Sequence, residues 1–147
     1  WVLKKELLRI PFFGWGLATL SPIAINRQQS KQAAKQMMEQ GRDRIKKGLW
    51  IIVFPEGTRV PIGQTGQYKQ GGARLAIDLQ VPVLPIAHNA GLFWPRQSFL
   101  KYPGTILLRI GPVLYPQDYP NPQALTAAAQ TWIEDQVQGL PKTRPSA

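Results

Sequence analysis

A carboxylate, a glycine, a hydroxyl and a guanidinium stand in consecutive positions at Glu56, Gly57, Thr58 and Arg59, directly after Phe54 and Pro55. Each type suits one part of holding a phosphorylated ligand. Arg59 can fork onto a phosphate through two parallel charge-assisted bonds. Gly57 has no Cβ, so backbone can approach an anion closely there. Thr58 adds a hydrogen bond. Glu56 is the discordant member, because a carboxylate repels a phosphate unless it is tied to Arg59 or to a sugar-like hydroxyl. A ligand with both a phosphate and free hydroxyls satisfies all four.

Such a cluster needs a rigid element behind it. The apolar run Leu49, Trp50, Ile51, Ile52, Val53 reads as a buried strand bounded by Gly48 and Pro55. Open α/β sheets bind ligands in the crevice beyond their strand ends, which is where this strand delivers the cluster. Upstream, 4–20 reads as short helical pieces broken by Pro11, Gly14 and Gly16, followed by a strand at 22–26. A helix is expected over 30–47, with Ser30 as its cap and Gly48 just past its end. Ala34, Met37, Met38 and Ile45 form its apolar side, and Gly41 interrupts it. Lys46 and Lys47 suit the negative C-terminal end of that helix.

Downstream, the pattern gives a glycine-rich loop at 57–72, a helix at 73–79 and a strand at 81–86. The prolines of that strand, Pro82 and Pro85, confine it to an edge or to positions where no donor is needed. A strand at 105–110 and a final helix from Asn121 and Pro122 to about 138, closed by Gly139 and Pro141, complete the chain. Alternating strands and helices predict an α/β fold with a mostly parallel central sheet flanked by helices. Residues 1–140 form the domain portion and 141–147 a frayed tail.

The 147 residues suffice for a sizeable core. No cysteine is present, which excludes a disulfide framework and thiolate chemistry, and the single His88 excludes a multi-histidine metal site. The net charge of +10 favours an anionic partner. It is uneven: 1–59 hold 11 Lys and Arg against 4 Asp and Glu, while 60–147 hold 7 against 4. No apolar run is long enough to cross a bilayer as a helix. The cations are scattered, without a zinc-finger, RRM or homeodomain pattern, so nucleic acid is not expected as the partner.

Four segments in order carry a family resemblance: Lys4, Lys5, Glu6, Leu7, Leu8; then Ile10, Pro11, Phe12, Phe13, Gly14; then 54–59; then Val81, Pro82, Val83, Leu84, Pro85, Ile86. Over roughly 4–115 the chain resembles the bacterial 1-acyl-sn-glycerol-3-phosphate acyltransferases, the lysophosphatidic acid acyltransferases of the glycerophospholipid acyltransferase superfamily. The resemblance implies a glycerol-3-phosphate acyltransferase-like fold and transfer of a fatty acyl group to the 2-hydroxyl of lysophosphatidic acid, giving phosphatidic acid. It implies acyl-CoA or acyl carrier protein as donor, no cofactor, and a membrane surface as partner. The expected location is the cytoplasmic face of the inner membrane.

Family members use a His-x-x-x-x-Asp motif as general base. An alcohol attacking a thioester must lose its proton as the bond forms, and histidine suits that task. Here His88 is followed five positions later by Phe93, so the motif is absent. It lies in family members shortly upstream of the Lys-x-Glu-Leu segment. The expectation is therefore a C-terminal portion of an acyltransferase, inactive alone, with His88 a structural residue.

By the resemblance, Lys4 (or Lys5) contacts the acceptor phosphate, and Arg27 ends the second motif. In that motif Ser21, Ala24 and Asn26 stand where the family has glycine, phenylalanine and a common aspartate. Glu56, Gly57, Thr58 and Arg59 form the acceptor-binding motif, Lys69 matches a basic position after it, and Pro85 marks a fourth motif shaping the site. Phe12, Phe13 and Trp15 either pack in the core, the favoured reading, or dip into lipid beside Lys5 and Arg9. Phe93, Trp94 and Tyr102 read as packing. A non-catalytic anionic-lipid or phosphate-binding module is the alternative.

Overall fold

The computed structural model describes residues 1–26, 30–95 and 98–144, and for residues 30 and 31 the backbone alone. The chain forms two compact units, Trp1–Phe54 and Pro55–Ala147.

In the first unit, β1 (Val2–Lys4) and β2 (Ile23–Ile25) pair in parallel, Val2 opposite Ile23 and Lys4 opposite Ile25. A parallel pair needs a crossover, and here it consists of a 3-10 turn, Lys5–Arg9, and the short helix α1 (Phe13–Thr19). A Cβ on Gly14 would stand 2.8 Å from the Leu7 carbonyl oxygen, so only glycine lets α1 lie against the preceding turn.

Helix α2 (Ser30–Lys46) docks on β2 through amides as much as through apolar side chains. The Gln40 side chain accepts from the Ala24 N–H at 2.9 Å and donates to the Ala24 carbonyl at 3.0 Å, imitating one residue of a neighbouring strand. Gln36 accepts from the Asn26 N–H in the same way. Leu3, Ile23 and Met37 are the buried apolar residues of this unit. The helix runs unbroken through the buried Gly41, and Ala34, expected on the apolar side, is exposed.

Two expectations fail here for identifiable reasons. The run 49–54 forms no regular element; a single backbone bond joins it to β1, from the Val2 N–H to the Ile52 carbonyl at 3.1 Å. Trp50, Ile52 and Phe54, alternating on one face, remain 83%, 53% and 60% exposed. Strand propensity expresses fit to a half-buried pleated surface, and among the described residues nothing covers this face. Phe12, Phe13 and Trp15 are also not core: they are 80%, 56% and 63% exposed.

The second unit carries α3 (Gly71–Leu79), β3 (Ile86–His88), β4 (Leu108–Ile110) and α4 (Pro122–Gln138). α3 packs on α4, and β3 packs on α4 as well. Asn121 caps α4, its side chain accepting from the Ala124 N–H at 2.9 Å, and Pro122 occupies the first turn, where its missing donor is harmless. At the other end, Arg109 donates to the carbonyls of Gln136 and Gly139, groups that the helix leaves unpaired.

β3 and β4 are antiparallel, with Ile86 opposite Ile110, and Val83 forms a bridge to Leu114. Between those two pairs one strand spends two residues and the other three, which is a β-bulge at 111–113. Its cause is local. Pro85 has no N–H to give, so its carbonyl alone is used, by the Gly111 N–H at 2.9 Å, and a Cβ on Gly111 would meet the Trp132 ring at 2.7 Å. The expected strand at 81–86 is thereby reduced to that bridge and to β3, which begins at its last residue. The α/β class holds, but the described pairings are one parallel and one antiparallel pair rather than a single mostly parallel sheet.

Candidate functional site

Lys4 is the exposed last residue of β1, and Lys5 opens the turn that follows. Arg27 lies outside the described residues. Ser21, which stands where the second motif has glycine, has φ of 50°, the left-handed region that glycine enters without cost. Arg44 donates to its carbonyl at 2.7 Å and to that of Pro22 at 3.2 Å, holding the turn that leads into β2.

The second unit contains the larger cluster. The Lys69 N–H donates to the Pro55 carbonyl at 2.8 Å and closes 55–69 into a loop. Gly57 turns it with φ of 67°, and the Lys69 side chain lies alongside; a Cβ on Gly57 would stand 3.1 Å from the ammonium nitrogen. Inside the loop, Gly66 packs on Glu56 and Val60. From α4, Glu134 reaches in and accepts two hydrogen bonds, from the Thr65 hydroxyl at 3.0 Å and from the Tyr68 hydroxyl at 3.1 Å. One carboxylate thus ties the far side of the loop to the helix.

That arrangement sets the state of Glu56. Partial burial, reinforced by the negative charge of Glu134, pushes its carboxyl above the ordinary range. Burial, the Glu134 and Glu56 charges and the bond to Glu134 likewise push the Tyr68 phenol upward, so it stays a donor. Of the two partners left open for Glu56, Arg59 is not used: no ion pair joins them among the described residues. Arg59 instead lies over the indole of Trp94, 4.7 Å from the ring centroid, and Lys101 lies 4.7 Å from the same ring. Thr58 is exposed.

His88 is exposed on β3, and its Nδ1 accepts from the Ala90 N–H at 3.2 Å, the rim hydrogen bond expected of a structural histidine. No group of three His, Cys, Asp or Glu able to hold a metal occurs among the described residues.

Glu134, Tyr68, Trp94 and Lys101 were not legible as site residues. Trp94 reads as packing, yet it is 47% exposed and carries two cations. A half-exposed tryptophan with a lysine seven positions later is a weak cation–π signal, and only the fold brings Arg59 to it. Nothing in the sequence of α4 sets Glu134 apart from Asp135.

A family model for acyltransferases matches residues 1–89, which include Lys4, Arg27, 56–59 and Lys69. The chain belongs to the acyltransferase family. It is 51% identical over 137 residues to the 1-acyl-sn-glycerol-3-phosphate acyltransferase of Pseudomonas aeruginosa, a match covering 91% of this chain and 53% of that protein. The enzyme of the same name from Cocos nucifera is 29% identical over 109 residues, 74% of this chain and 35% of its own length. The crystal structure of PlsC, the 1-acyl-sn-glycerophosphate acyltransferase from Thermotoga maritima, matches with a TM-score of 0.79 at 28% identity, over 99% of this chain and 58% of that one. The chain therefore has the acyltransferase fold and spans about half the length of the Pseudomonas relative. Trp94, Lys101 and Glu134 lie beyond the span of the family model.

Proposed function

We propose that this chain is the acceptor-binding portion of an enzyme that transfers a fatty acyl group from acyl-CoA or acyl carrier protein to the 2-hydroxyl of 1-acyl-glycerol 3-phosphate, giving phosphatidic acid. The observation that carries the reading is the 51% identity to the Pseudomonas acyltransferase across nearly the whole chain. The geometry gives it a physical form. Arg59 and Lys69 present positive charge from a loop whose Gly57 admits close backbone approach. Glu56, its carboxyl raised by partial burial and by the Glu134 charge, is not paired with Arg59 and can hydrogen-bond a glycerol hydroxyl. Proton removal from the attacking hydroxyl falls to a base outside these residues, because His88 Nδ1 is engaged by backbone.

Both lysophospholipid and product reside in a bilayer, and the chain has a surface suited to one. Phe12 and Trp15 meet edge to face at 5.1 Å, both largely exposed, on the connection that also exposes Lys5 and Arg9. Aromatics beside cations suit the interface of an anionic membrane. No helix among the described residues is long and apolar enough to cross one. The cytoplasmic face of the inner membrane is the location we infer, since acyl-CoA and acyl carrier protein are the donors.

The test is a chimera joining this chain to the preceding residues of the Pseudomonas relative, assayed with lysophosphatidate and glycerol 3-phosphate against both donors. Phosphatidic acid formed from lysophosphatidate is the expected product. Preference for glycerol 3-phosphate, or turnover by the 147-residue chain alone, would overturn the assignment of acceptor or of base.

A further inference from the structure

Arg59 is the guanidinium on which the acceptor reading turns, and its observed partner is an aromatic ring rather than a carboxylate. Trp94, which provides that ring, is itself held in place. Its backbone N–H donates to the Ala90 carbonyl at 3.0 Å and its indole N–H to the Ser98 carbonyl at 3.2 Å, while Phe93 beside it is buried. The Tyr102 N–H closes this segment on the Phe93 carbonyl at 2.8 Å. A second cation, the Lys101 ammonium, lies over the same ring at the same distance as the guanidinium, so the two charged centres are no further apart than twice that distance.

This arrangement gathers positive charge with no protein anion to balance it. Two like charges on one small ring repel each other, and each attraction to the ring is weak at an exposed site. No carboxylate lies within ion-pair distance of either cation among the described residues. Both side chains are exposed and open to a ligand. A phosphate monoester, with up to two negative charges and three free oxygens, has acceptors for both once the flexible Lys101 stem brings its ammonium to the Arg59 side of the ring.

We propose that Lys101 is a second cation of the acceptor-phosphate subsite and that Trp94 is the positioning residue presenting Lys101 and Arg59 to one phosphate. The proposal rests on the acyltransferase reading of Arg59, and it extends the site past the span of the family model. The ring sets where the guanidinium lies, and Lys101 completes a site for a monoester dianion. A neutral monoacylglycerol gains nothing from either cation.

The experiment titrates the 147-residue chain with inorganic phosphate, sn-glycerol 3-phosphate, a short-chain lysophosphatidate and a short-chain monoacylglycerol, following the backbone amide resonances of Thr58, Arg59 and Lys101 by NMR, which the parent and every variant share. Saturable shifts are expected with the first three ligands only. Lys101→Met should weaken each of those about tenfold, the loss expected for one charge-assisted bond. Trp94→Phe keeps a ring for the cations and should stay within about threefold of the parent, whereas Trp94→Leu should approach the Lys101→Met loss. In the active chimera, Lys101→Met should raise KM for lysophosphatidate with kcat and donor KM unchanged. Unweakened phosphate binding by Lys101→Met overturns the proposal, as does the absence of any phosphate-dependent shift in the parent. Equal losses for Trp94→Phe and Trp94→Leu, or for both substrates of the chimera, reduce Trp94 to a structural residue and overturn its positioning role. An inactive chimera whose chain still binds phosphate through Lys101 refutes the acyltransferase reading and leaves the subsite standing.

Discussion

Glu134→Ala is the perturbation that isolates what α4 does for the motif loop. The carboxylate accepts from Thr65 at 3.0 Å and from Tyr68 at 3.1 Å. A hydrogen bond to an ionised partner contributes about 1.5–3 kcal/mol when shielded, and less when wet. Thr65 is exposed and Tyr68 is half-buried, so the pair together contributes about 2 kcal/mol. Glu134 also repels Glu56, and removing that repulsion offsets part of the loss. The net destabilisation should be about 1–2 kcal/mol, a fall in Tm of about 3–6 °C for a chain of this size. Glu134→Gln keeps an oxygen for one hydroxyl and removes the charge, so it should lose less than half as much. Thermal unfolding by circular dichroism at neutral pH measures the first effect. Carboxyl-carbon NMR titration of Glu56 measures the second, which should move to lower pH in both variants because the neighbouring charge is gone. An unchanged Tm in Glu134→Ala, or a Glu56 titration that stays or moves upward, would refute the coupling.

Glu56→Gln should stabilise the chain at neutral pH while impairing use of the acceptor. The sign follows from the raised carboxyl: its contribution is fully present below the ordinary value of 4.5 and is lost as pH rises through the raised value, so the ionised form burdens the fold at pH 7. Chemical unfolding at pH 4 and pH 7 should show the variant with a flatter pH dependence; a variant less stable than the parent at pH 7 contradicts it. Gly57→Ala forces a side chain into a positive φ and against the Lys69 ammonium, costing about 1–2 kcal/mol, and should raise KM for the acceptor in the chimera. Ser21→Gly relieves the same kind of strain and should stabilise the chain by up to about 1 kcal/mol in urea unfolding, with a loss of stability counting against it. Phe12→Ser with Trp15→Ser should weaken sedimentation with phosphatidylglycerol vesicles several-fold; unchanged binding removes this surface from the membrane contact.

The parts of this fold that were legible are those with local causes. α4 begins at Pro122 and ends at Gln138 because Asn121 caps it, Pro122 suits its first turn and Gly139 follows it, all signals within one or two residues of the boundary. The C-terminal limit of α2 was legible in the same way, since Gly48, at φ of 70°, follows two residues after Lys46. The 49–54 run was misread because an apolar string says only that a surface wants cover, and a strand exists when a partner supplies the ladder. The exposure of Phe12, Phe13 and Trp15 was misread by the same logic, since composition ranks a residue's appetite for burial but not what is present to bury it. Of the site, 56–59 and Lys69 come to one loop as the motif implied, whereas the partners of Arg59 and Glu56 came from distant segments.

Those distant partners change what the motif means physically. In sequence, the Glu56 carboxylate has two partners open to it, the Arg59 guanidinium and a ligand hydroxyl. In the structure Arg59 lies over an aromatic ring, and partial burial together with the Glu134 charge raises the Glu56 carboxyl. A salt-bridged arginine would have to exchange one anion for another to bind phosphate, and the freed carboxylate would then repel the ligand. An arginine held over a ring has no carboxylate to give up, so its five N–H donors need not exchange one anion for another. On the acceptor-binding reading we propose, separating the two charges in this way lets four consecutive residues offer a cation for phosphate and a carboxyl for hydroxyl without cancelling each other.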